Sequence, residues 1–250
     1  METQYEFTPI ARVHSCFKET FGIPRQPNLA RDAPGLLVFE PKFANPEAIR
    51  ELQGFSHIWL IFVFHAKSSR KWQPMVRPPR LGGNQKVGVF ASRSPFRPNP
   101  IGMSVVGLTS VETTSKGPVL HLKGVDILDQ TPVLDIKPYL PYSDGIHHAT
   151  GGFAPDSPEA VPEISFSPGA VAQCRELEGK IPDLKSIITQ VLENDPRPAY
   201  FKSRSDEINS STESLNQERI FGMKLFNFDL KWIHRGNGIH VISLDPISSG

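Results

Sequence analysis

Hydrophobic residues recur in short runs along the first half of the chain, and prolines, glycines and polar turns separate these runs. Residues 58–65 carry aromatic and β-branched side chains at both parities, which predicts a strand buried on both faces. A short helix is predicted just before it, at 46–52. Further strands are predicted at 86–91, 101–111, 118–122 and 132–136. Many short strands with few helices predict a mainly β domain, built as a barrel or a sandwich.

The pattern changes after a connector rich in glycine, proline and serine. We therefore predict a β domain at 1–145, a connector at 146–162 and a small α+β domain at 163–250. In the latter, Ser167 and Pro168 form an N-cap and N1 pair that opens a helix ending near Gly179. Asp183 is predicted to cap a second helix, which Pro196 ends. The apolar face of that helix comprises Leu184, Ile187, Ile188, Val191 and Leu192.

Near the end of the chain, apolar and polar residues alternate, as they do in a half-buried strand. Residues 226–232 place Phe, Phe, Leu and Trp at every second position, and a Gly-Asn-Gly turn at 236–238 leads into a second strand at 239–244. The polar stretch 205–219 between helix and strand is predicted to be a mobile loop.

Composition places the chain among ordinary soluble proteins. It has 250 residues, 38% hydrophobic and 21% charged, and only two cysteines, Cys16 and Cys174. These two are far apart and lack metal-ligand spacing, which argues against a disulfide scaffold or a zinc ribbon and favours a reducing compartment. The longest apolar run, 58–64, is far shorter than the roughly 20 residues that cross a bilayer. With no signal peptide in the first residues, we predict a cytoplasmic protein without a membrane span.

The net charge of +1 hides a polarised chain. Residues 52–111 contain no Asp or Glu, whereas the whole chain has 26 acids in 250 residues. The same stretch carries eight basic residues: Lys67, Arg70, Lys71, Arg77, Arg80, Lys86, Arg93 and Arg97. An arginine-rich surface without acids is typical of proteins that hold a phosphate or a polyanion.

The standard nucleotide and metal signatures are missing. There is no GxGxxG, no GxxxxGK[ST] and no GxSxG, so a Rossmann cofactor site, a P-loop and an α/β-hydrolase have no support. His57 and His65 flank the first buried strand, about 26 Å apart in an extended chain, and cannot share one metal. We predict no metal site.

Four proline- or acid-rich segments carry the polar side chains of a predicted binding site. They are PRQP (24–27), VRPPRLGG (76–83), SRSPFRPNPIG (92–102) and DILDQTPVLDIKP (126–138). Rigid loops at strand ends, with convergent polar side chains, are how barrels build ligand sites.

At these segments the chain resembles the TrmO (TsaA/YaeB) family of tRNA methyltransferases. The resemblance rests on PRQP (24–27), FSHIWLIFVFH (55–65), VRPPRLGGN (76–84), GVFASRSPFRPNPIGMS (88–104) and TPVLDIKPYLP (131–141), and continues in DPRPAY (195–200). It implies a small β-barrel that uses S-adenosylmethionine, unlike Rossmann or knotted methyltransferases. It also implies a homodimer that methylates N6 of threonylcarbamoyladenosine, the modified base at position 37 beside the anticodon of threonine tRNA.

The resemblance also implies cofactor-binding positions. These are Pro24, Arg25, Gln26, His65, Ala66, Arg93, Met103, Asp129, Gln130, Thr131 and Pro132. Two of them depart from the common family pattern, which often has Gln at position 66 and Gly at position 130. The expected partner is the anticodon loop of threonine tRNA, since proteins usually read unstacked loop bases in RNA.

Methyl transfer to N6 also needs an acceptor near the N6 proton. The hypotheses for this catalytic role are Asp129, Asp135 and Asn99. Arg25 or Arg93 would hold a carboxylate of the cofactor or of the threonyl group. Phosphates of the RNA are assigned to Arg77, Arg80, Arg97 and Arg197, and Tyr200 is a further candidate contact.

Two other classes of function remain open. One is a non-catalytic tRNA-binding module, which would bind RNA but not S-adenosylmethionine. The other is an enzyme acting on a small anionic substrate, which would use the arginines and ignore RNA.

Overall fold

The computed structural model describes residues 4–67, 71–197 and 219–247. The strands in these residues are β1 (Ala11–Ser15), β2 (Pro34–Phe39), β3 (His57–Val63), β4 (Met75–Val76), β5 (Val87–Gly88), β6 (Ile101–Thr114), β7 (Gly117–Lys123), β8 (Thr131–Pro138), β9 (Ile164–Phe166), β10 (Phe221–Leu225), β11 (Phe228–Arg235) and β12 (Gly238–Pro246). The α-helices are α1 (Pro141–Asp144), α2 (Pro168–Leu177) and α3 (Leu184–Glu193). Short 3-10 helices span Pro41–Phe43, Pro46–Ile49, Leu52–Gly54, His65–Lys67, Pro79–Leu81 and Val89–Ala91.

Six antiparallel strands in the described chain close into a barrel, in the order β1-β2-β7-β6-β3-β8. Alternate residues of β3 fill its interior: Ile58 and Leu60 are fully buried and Phe62 nearly so, while their neighbours are half-buried. The predicted burial of both faces of this strand is thus wrong for the outer face. In the register, Val63 lies opposite Ile101 and Phe62 opposite Val133. The end of β3 and the starts of β6 and β8 therefore meet at one end of the barrel.

The second region packs two helices on a sheet of order β10-β11-β12-β9. Its core is centred on Trp232, which is fully buried, and on the predicted apolar face of α3. The core also takes Phe17 and Ala30, from the segment between the first two barrel strands. A mainly β chain with an N-terminal barrel and a small C-terminal α+β unit was the predicted fold class, and it is confirmed.

Several predicted elements are confirmed with shifted ends. Strands lie at 101–114, 117–123 and 131–138, close to the predicted ranges. The Ser167 hydroxyl accepts a hydrogen bond from the Ala170 N–H and caps α2 as predicted. The hairpin around 236–238 is also present.

Other predictions are wrong in detail. Residues 86–91 form only the two-residue strand β5 and then a 3-10 helix, because the one strand that pairs with β5 among the described residues is the equally short β4. The region 46–52 forms 3-10 rather than α-helical turns. Asp183 precedes α3, but with a φ of 59° and no side-chain cap. Phe226 lies in a turn at φ 52°, so the strand begins at Phe228.

Helix ends and short strands also differ from the prediction. Helix α3 ends at Glu193, three residues before the predicted stop at Pro196, because Asn194 already leaves helical geometry. The short strands β1, β2, β4, β9 and β10 and the short helix α1 were not predicted. The predicted loop 205–219 lies outside the described residues, apart from Arg219.

Candidate active site

A cavity of about 500 Å³ opens at the barrel end where β3 stops and β6 and β8 start. Its volume falls within the range of small-molecule sites. Four segments that are remote in sequence form its wall: the loop 23–27, the end of β3 with residues 64–66, the stretch 92–104, and residues 126–131. Three of them overlap predicted binding segments, 24–27, 92–102 and 126–138, whereas the predicted segment 76–83 does not line the cavity.

A glycine makes the floor of this cavity possible. A Cβ placed on Gly102 would lie 2.5 Å from the Phe62 ring and 2.9 Å from the Phe64 ring. The two rings meet edge to face at 5.2 Å and fill that space. The aromatic floor therefore depends on the missing side chain at position 102.

The loop 23–27 is held from outside the barrel by the segment that follows α3. The Arg25 guanidinium donates to the backbone carbonyl of Arg197 at 3.4 Å, and the Asn194 amide donates to the Leu29 carbonyl at 3.2 Å. On the barrel side, the Asn28 amide donates to the Val105 carbonyl at 3.2 Å. The second region thus positions one wall of the cavity.

Three arginines line the cavity, and each has a different set of contacts. Burial lowers the pKa of Arg25, and the charge of Asp195 opposes that shift. Arg93 donates to the side-chain oxygen of Gln26, which joins two walls. Arg97 donates to the carbonyls of Val89 at 3.1 Å and Ser92 at 2.6 Å, so its guanidinium braces its own loop.

His65 follows β3 on the cavity wall. Its Nδ1 lies 3.3 Å from the Thr131 hydroxyl. Burial, and secondarily the charge of Arg12, lower its pKa below the ordinary 6.5. The imidazole is therefore neutral at pH 7.

Asp126 is a wall residue that sequence reasoning did not select. It is the one acid among the described residues that line the cavity. Its Oδ1 is shielded from solvent and has no hydrogen-bond partner among the described residues. Burial raises its pKa from 3.8 to about 6, although the Ser104 hydroxyl, a backbone hydrogen bond and the charge of Arg93 act in the opposite direction. The sequence showed three neighbouring carboxylates but gave no sign of which one is buried.

Most of the predicted cofactor positions come together on the wall. Those that line the cavity are Pro24, Arg25, Gln26, His65, Ala66, Arg93, Met103 and Thr131. The structure places the other three, Asp129, Gln130 and Pro132, outside the lining. The Asp129 carboxylate accepts from the Ser15 N–H at 2.9 Å and pairs with Lys18 at 2.8 Å. Gln130 has a φ of 63°, and its side chain lies 2.9 Å from His14 Nδ1.

The three hypothesised proton acceptors are not on the cavity wall. The Asp129 carboxylate is already bound to the Ser15 N–H and to Lys18. Asp135 forms an ion pair with Lys137 at 2.9 Å, with about half of its side chain exposed. Asn99 is exposed, and its backbone carbonyl accepts from the Ile101 N–H at 2.7 Å.

Of the four arginines assigned to RNA, two are exposed and two are held by hydrogen bonds within the protein. Arg77 and Arg80 are exposed near the short hairpin of β4 and β5, and Arg80 donates to the Asp156 carbonyl. Arg97 is the loop brace described above. Arg197 makes two hydrogen bonds to the Asp195 carboxylate, at 2.9 and 3.0 Å, and its side chain is only 16% exposed. A phosphate contact from Arg197 would have to break this pair, and Tyr200 lies outside the described residues.

In the described part of the chain, no group of three or more His, Cys, Asp or Glu residues is arranged to hold a metal ion. Within the same residues, no helix has the length and apolar character to cross a membrane.

Comparison with known families matches the chain in two parts. A model of the tRNA-methyltransferase O N-terminal domain matches residues 12–145. A model of the TrmO C-terminal domain matches residues 159–247. Together the two models cover most of the chain.

Individual relatives agree with this match. The chain is 40% identical over 244 residues to a tRNA (adenine(37)-N6)-methyltransferase of Escherichia coli K12, covering 98% of this chain and 99% of that protein. It is 42% identical over 229 residues to a putative S-adenosylmethionine-dependent methyltransferase, RcsF, of Pseudomonas aeruginosa, covering 91% and 92% of the two chains. The crystal structure of TrmO from Pseudomonas aeruginosa superposes with a TM-score of 0.76 at 34% identity, covering 97% of this chain and 98% of that one.

Proposed function

The chain belongs to the tRNA-methyltransferase O family, and from this premise we propose that it transfers a methyl group from S-adenosylmethionine to N6 of adenosine 37 in tRNA. The base we propose is threonylcarbamoyladenosine, beside the anticodon of threonine tRNA. The observation that carries the proposal is the cavity in which eight predicted cofactor positions, from four remote segments, share one wall.

The residues of this cavity fit S-adenosylmethionine. Its volume of about 500 Å³ suits a ligand of that class. Arg25 and Arg93 supply guanidinium groups that match a carboxylate, and the Phe62 and Phe64 rings with Met103 supply apolar surface. When bound, S-adenosylmethionine brings an electrophilic methyl group. The chain then has to bind, orient and desolvate the two reactants and accept one proton.

The same arginines favour an anionic base. The threonylcarbamoyl group carries a carboxylate, and whichever of Arg25 and Arg93 is not used by the cofactor can pair with it. The lack of acids across residues 52–111 removes competing and repelling charges from this side of the barrel. Arg77 and Arg80 lie exposed in that stretch, where they are proposed to contact tRNA phosphates.

We propose that the protein acts in the cytoplasm as a homodimer. Supporting a second copy, Trp72, Met75 and Phe90 are 52%, 49% and 73% exposed around the short hairpin of β4 and β5. The division into a catalytic region at 1–145, a connector at 146–162 and a small region at 163–250 also stays a proposal.

Transfer of labelled methyl from S-adenosylmethionine to two preparations of threonine tRNA tests this function. One preparation carries threonylcarbamoyladenosine and the other lacks it. We expect label only in the modified tRNA. Binding of tRNA without binding of S-adenosylmethionine would instead indicate an RNA-binding module. Binding of S-adenosylmethionine with no label in either tRNA would point to a different, small substrate.

A further inference from the structure

One acid on the cavity wall, Asp126, is not among the predicted cofactor-binding residues. Asp126 precedes the loop into β8, and its Oδ1 makes no hydrogen bond within the described residues. A shielded, unpartnered carboxylate oxygen is costly, and folds keep such groups mainly where a ligand or a reaction uses them. Asp126 is therefore a candidate for the chemistry itself.

Its surroundings suit a group that takes up a proton and releases it. Burial is the main influence on the carboxyl group, and the Ser104 hydroxyl, from β6, partly offsets it. The charged and titratable side chains that share the wall are Arg25 from the loop after β1, His65 after β3, and Arg93 and Arg97 from the loop before β6. Of these four, Arg93 is the one whose charge lowers the pKa of the carboxyl group.

We propose that Asp126, which lines the cavity, is a catalytic residue whose carboxylate accepts the N6 proton of the base during methyl transfer, an inference that rests on the proposed function. The bond between the methyl carbon and the sulfonium sulfur breaks, and its electron pair stays on sulfur as the neutral thioether of S-adenosylhomocysteine. The bond between N6 and the methyl carbon forms. The proton that N6 loses moves to the Asp126 carboxylate, which returns it to water when the products leave.

The other candidate proton acceptors fit this role less well. The carboxylate of Asp129 already accepts a backbone N–H and pairs with Lys18, and Asp135 pairs with Lys137. His65 is neutral and lines the cavity, but its Nδ1 already lies beside the Thr131 hydroxyl.

Asp126→Asn removes the base while preserving the shape of the side chain. In single-turnover methylation of tRNA that carries threonylcarbamoyladenosine, we expect the rate to fall by about 10²-fold or more. The affinity for S-adenosylmethionine, measured by calorimetry, should be retained. Glu47→Gln serves as the control, because Glu47 is exposed, pairs with Arg50 and lies off the cavity.

A second variant tests the proposal without removing Asp126. Ser104→Ala deletes the hydrogen bond that lowers the pKa of the carboxyl group. In a plot of methylation rate against pH, we expect the fall in rate at low pH to begin at a higher pH in Ser104→Ala. In Asp126→Asn this dependence on pH should be absent. Carbon-13 titration of the Asp126 carboxyl group in the free protein should show the same upward movement of its midpoint, independently of activity.

Several outcomes would overturn the inference. One is an unchanged rate in Asp126→Asn. Another is a loss of rate matched by an equal loss of affinity for S-adenosylmethionine, which would make Asp126 a cofactor ligand only. A wild-type protein that binds S-adenosylmethionine but leaves the modified tRNA unmethylated would overturn the proposed function itself, and this inference with it.

Discussion

The two regions of the molecule reach stability in different ways. The barrel core consists of buried side chains between Ala11 and Val133, without a buried residue from the second region among those described. The core of the second region takes Cys16, Phe17, Ala30 and Ala33 from the barrel's own sequence. The dependence runs in one direction: the second region needs a segment of the first to complete its core.

This difference has a consequence for the cavity. One part of the wall, including His65, Met103 and Asp126, stands on barrel strands or directly beside them. The other part, the loop 23–27, belongs to the segment that the second region holds. Damage to the second region should therefore reach the cavity through this loop and leave the barrel itself folded.

Removing the large ring at the centre of the second core is expected to have the greatest effect. Trp232 is fully buried and stacks on Phe21 with ring centroids 6.1 Å apart. Trp232→Ala should lower the free energy of unfolding by about 3–5 kcal/mol, measured in urea. It should also weaken binding of S-adenosylmethionine, because Phe21 leads into the cavity loop.

Leu244→Ala is the matched control in the same core, at a position distant in sequence from that loop. It should destabilise the protein yet leave the affinity for S-adenosylmethionine unchanged. Equal losses of affinity in the two variants would show that the loop is not a specific route between the regions.

The contact between the regions can be tested at Asp195, which is buried and holds Arg197 through two hydrogen bonds. Asp195→Ala leaves the Arg197 charge without its partner and should cost about 3 kcal/mol of unfolding free energy. Because the Arg197 carbonyl accepts from Arg25, affinity for S-adenosylmethionine should fall as well. Asp245→Ala, which removes an exposed pair with Lys231, should cost at most about 1 kcal/mol.

On the barrel side, the buried carboxyl group of Asp126 makes stability depend on pH. Its pKa is higher in the folded protein, at about 6, than its ordinary 3.8, so the folded state binds the extra proton between these values. Stability is therefore lost as pH rises from about 4 to 6. Asp126→Asn should raise the free energy of unfolding at pH 8 by about 3 kcal/mol and leave it nearly unchanged at pH 4.

Asp129→Asn gives the contrasting case in the same loop. Its carboxylate pairs with Lys18 and accepts the Ser15 N–H, so loss of the charge should destabilise the protein at pH 8. If both variants lost stability at pH 8, the carboxyl group of Asp126 would not be a destabilising group in the fold.

The smallest effect is expected at the exposed rim. Arg77→Ala should leave stability and affinity for S-adenosylmethionine unchanged, and should reduce the slope of log affinity for tRNA against log salt concentration by about 0.7–0.9. Lys116→Ala, in the exposed turn between β6 and β7, should leave that slope as it is. An unchanged slope for Arg77→Ala would remove Arg77 from the tRNA contact surface.

The sequence predicted the elements whose patterns are long. Strand β3 is a continuous apolar run, β6 and β7 are rich in apolar residues, and α3 has a complete apolar face. Strand β1 alternates over only five residues, and β2 begins with Pro-Gly. Neither pattern is distinct enough to predict a strand in a proline-rich chain. The strand predicted at 86–91 failed because its length is limited by its partner, which local pattern does not encode.

The candidate site was predictable as a set of segments but not as a set of side chains. Motifs identified the loops that meet, since loops at one end of a barrel converge. They did not distinguish Asp126 from Asp129, because the difference between the two lies in burial and partners that form only on folding. The pairing of Arg197 with Asp195 was likewise invisible, although the two are separated by one residue.

The most direct test of the account is a crystal structure of the full chain with S-adenosylhomocysteine. We predict that the ligand lies in the cavity between the loop 23–27 and Met103, with its sulfur and the Asp126 carboxylate facing the same open side. Ligand bound elsewhere on the barrel, with this cavity empty, would contradict the account.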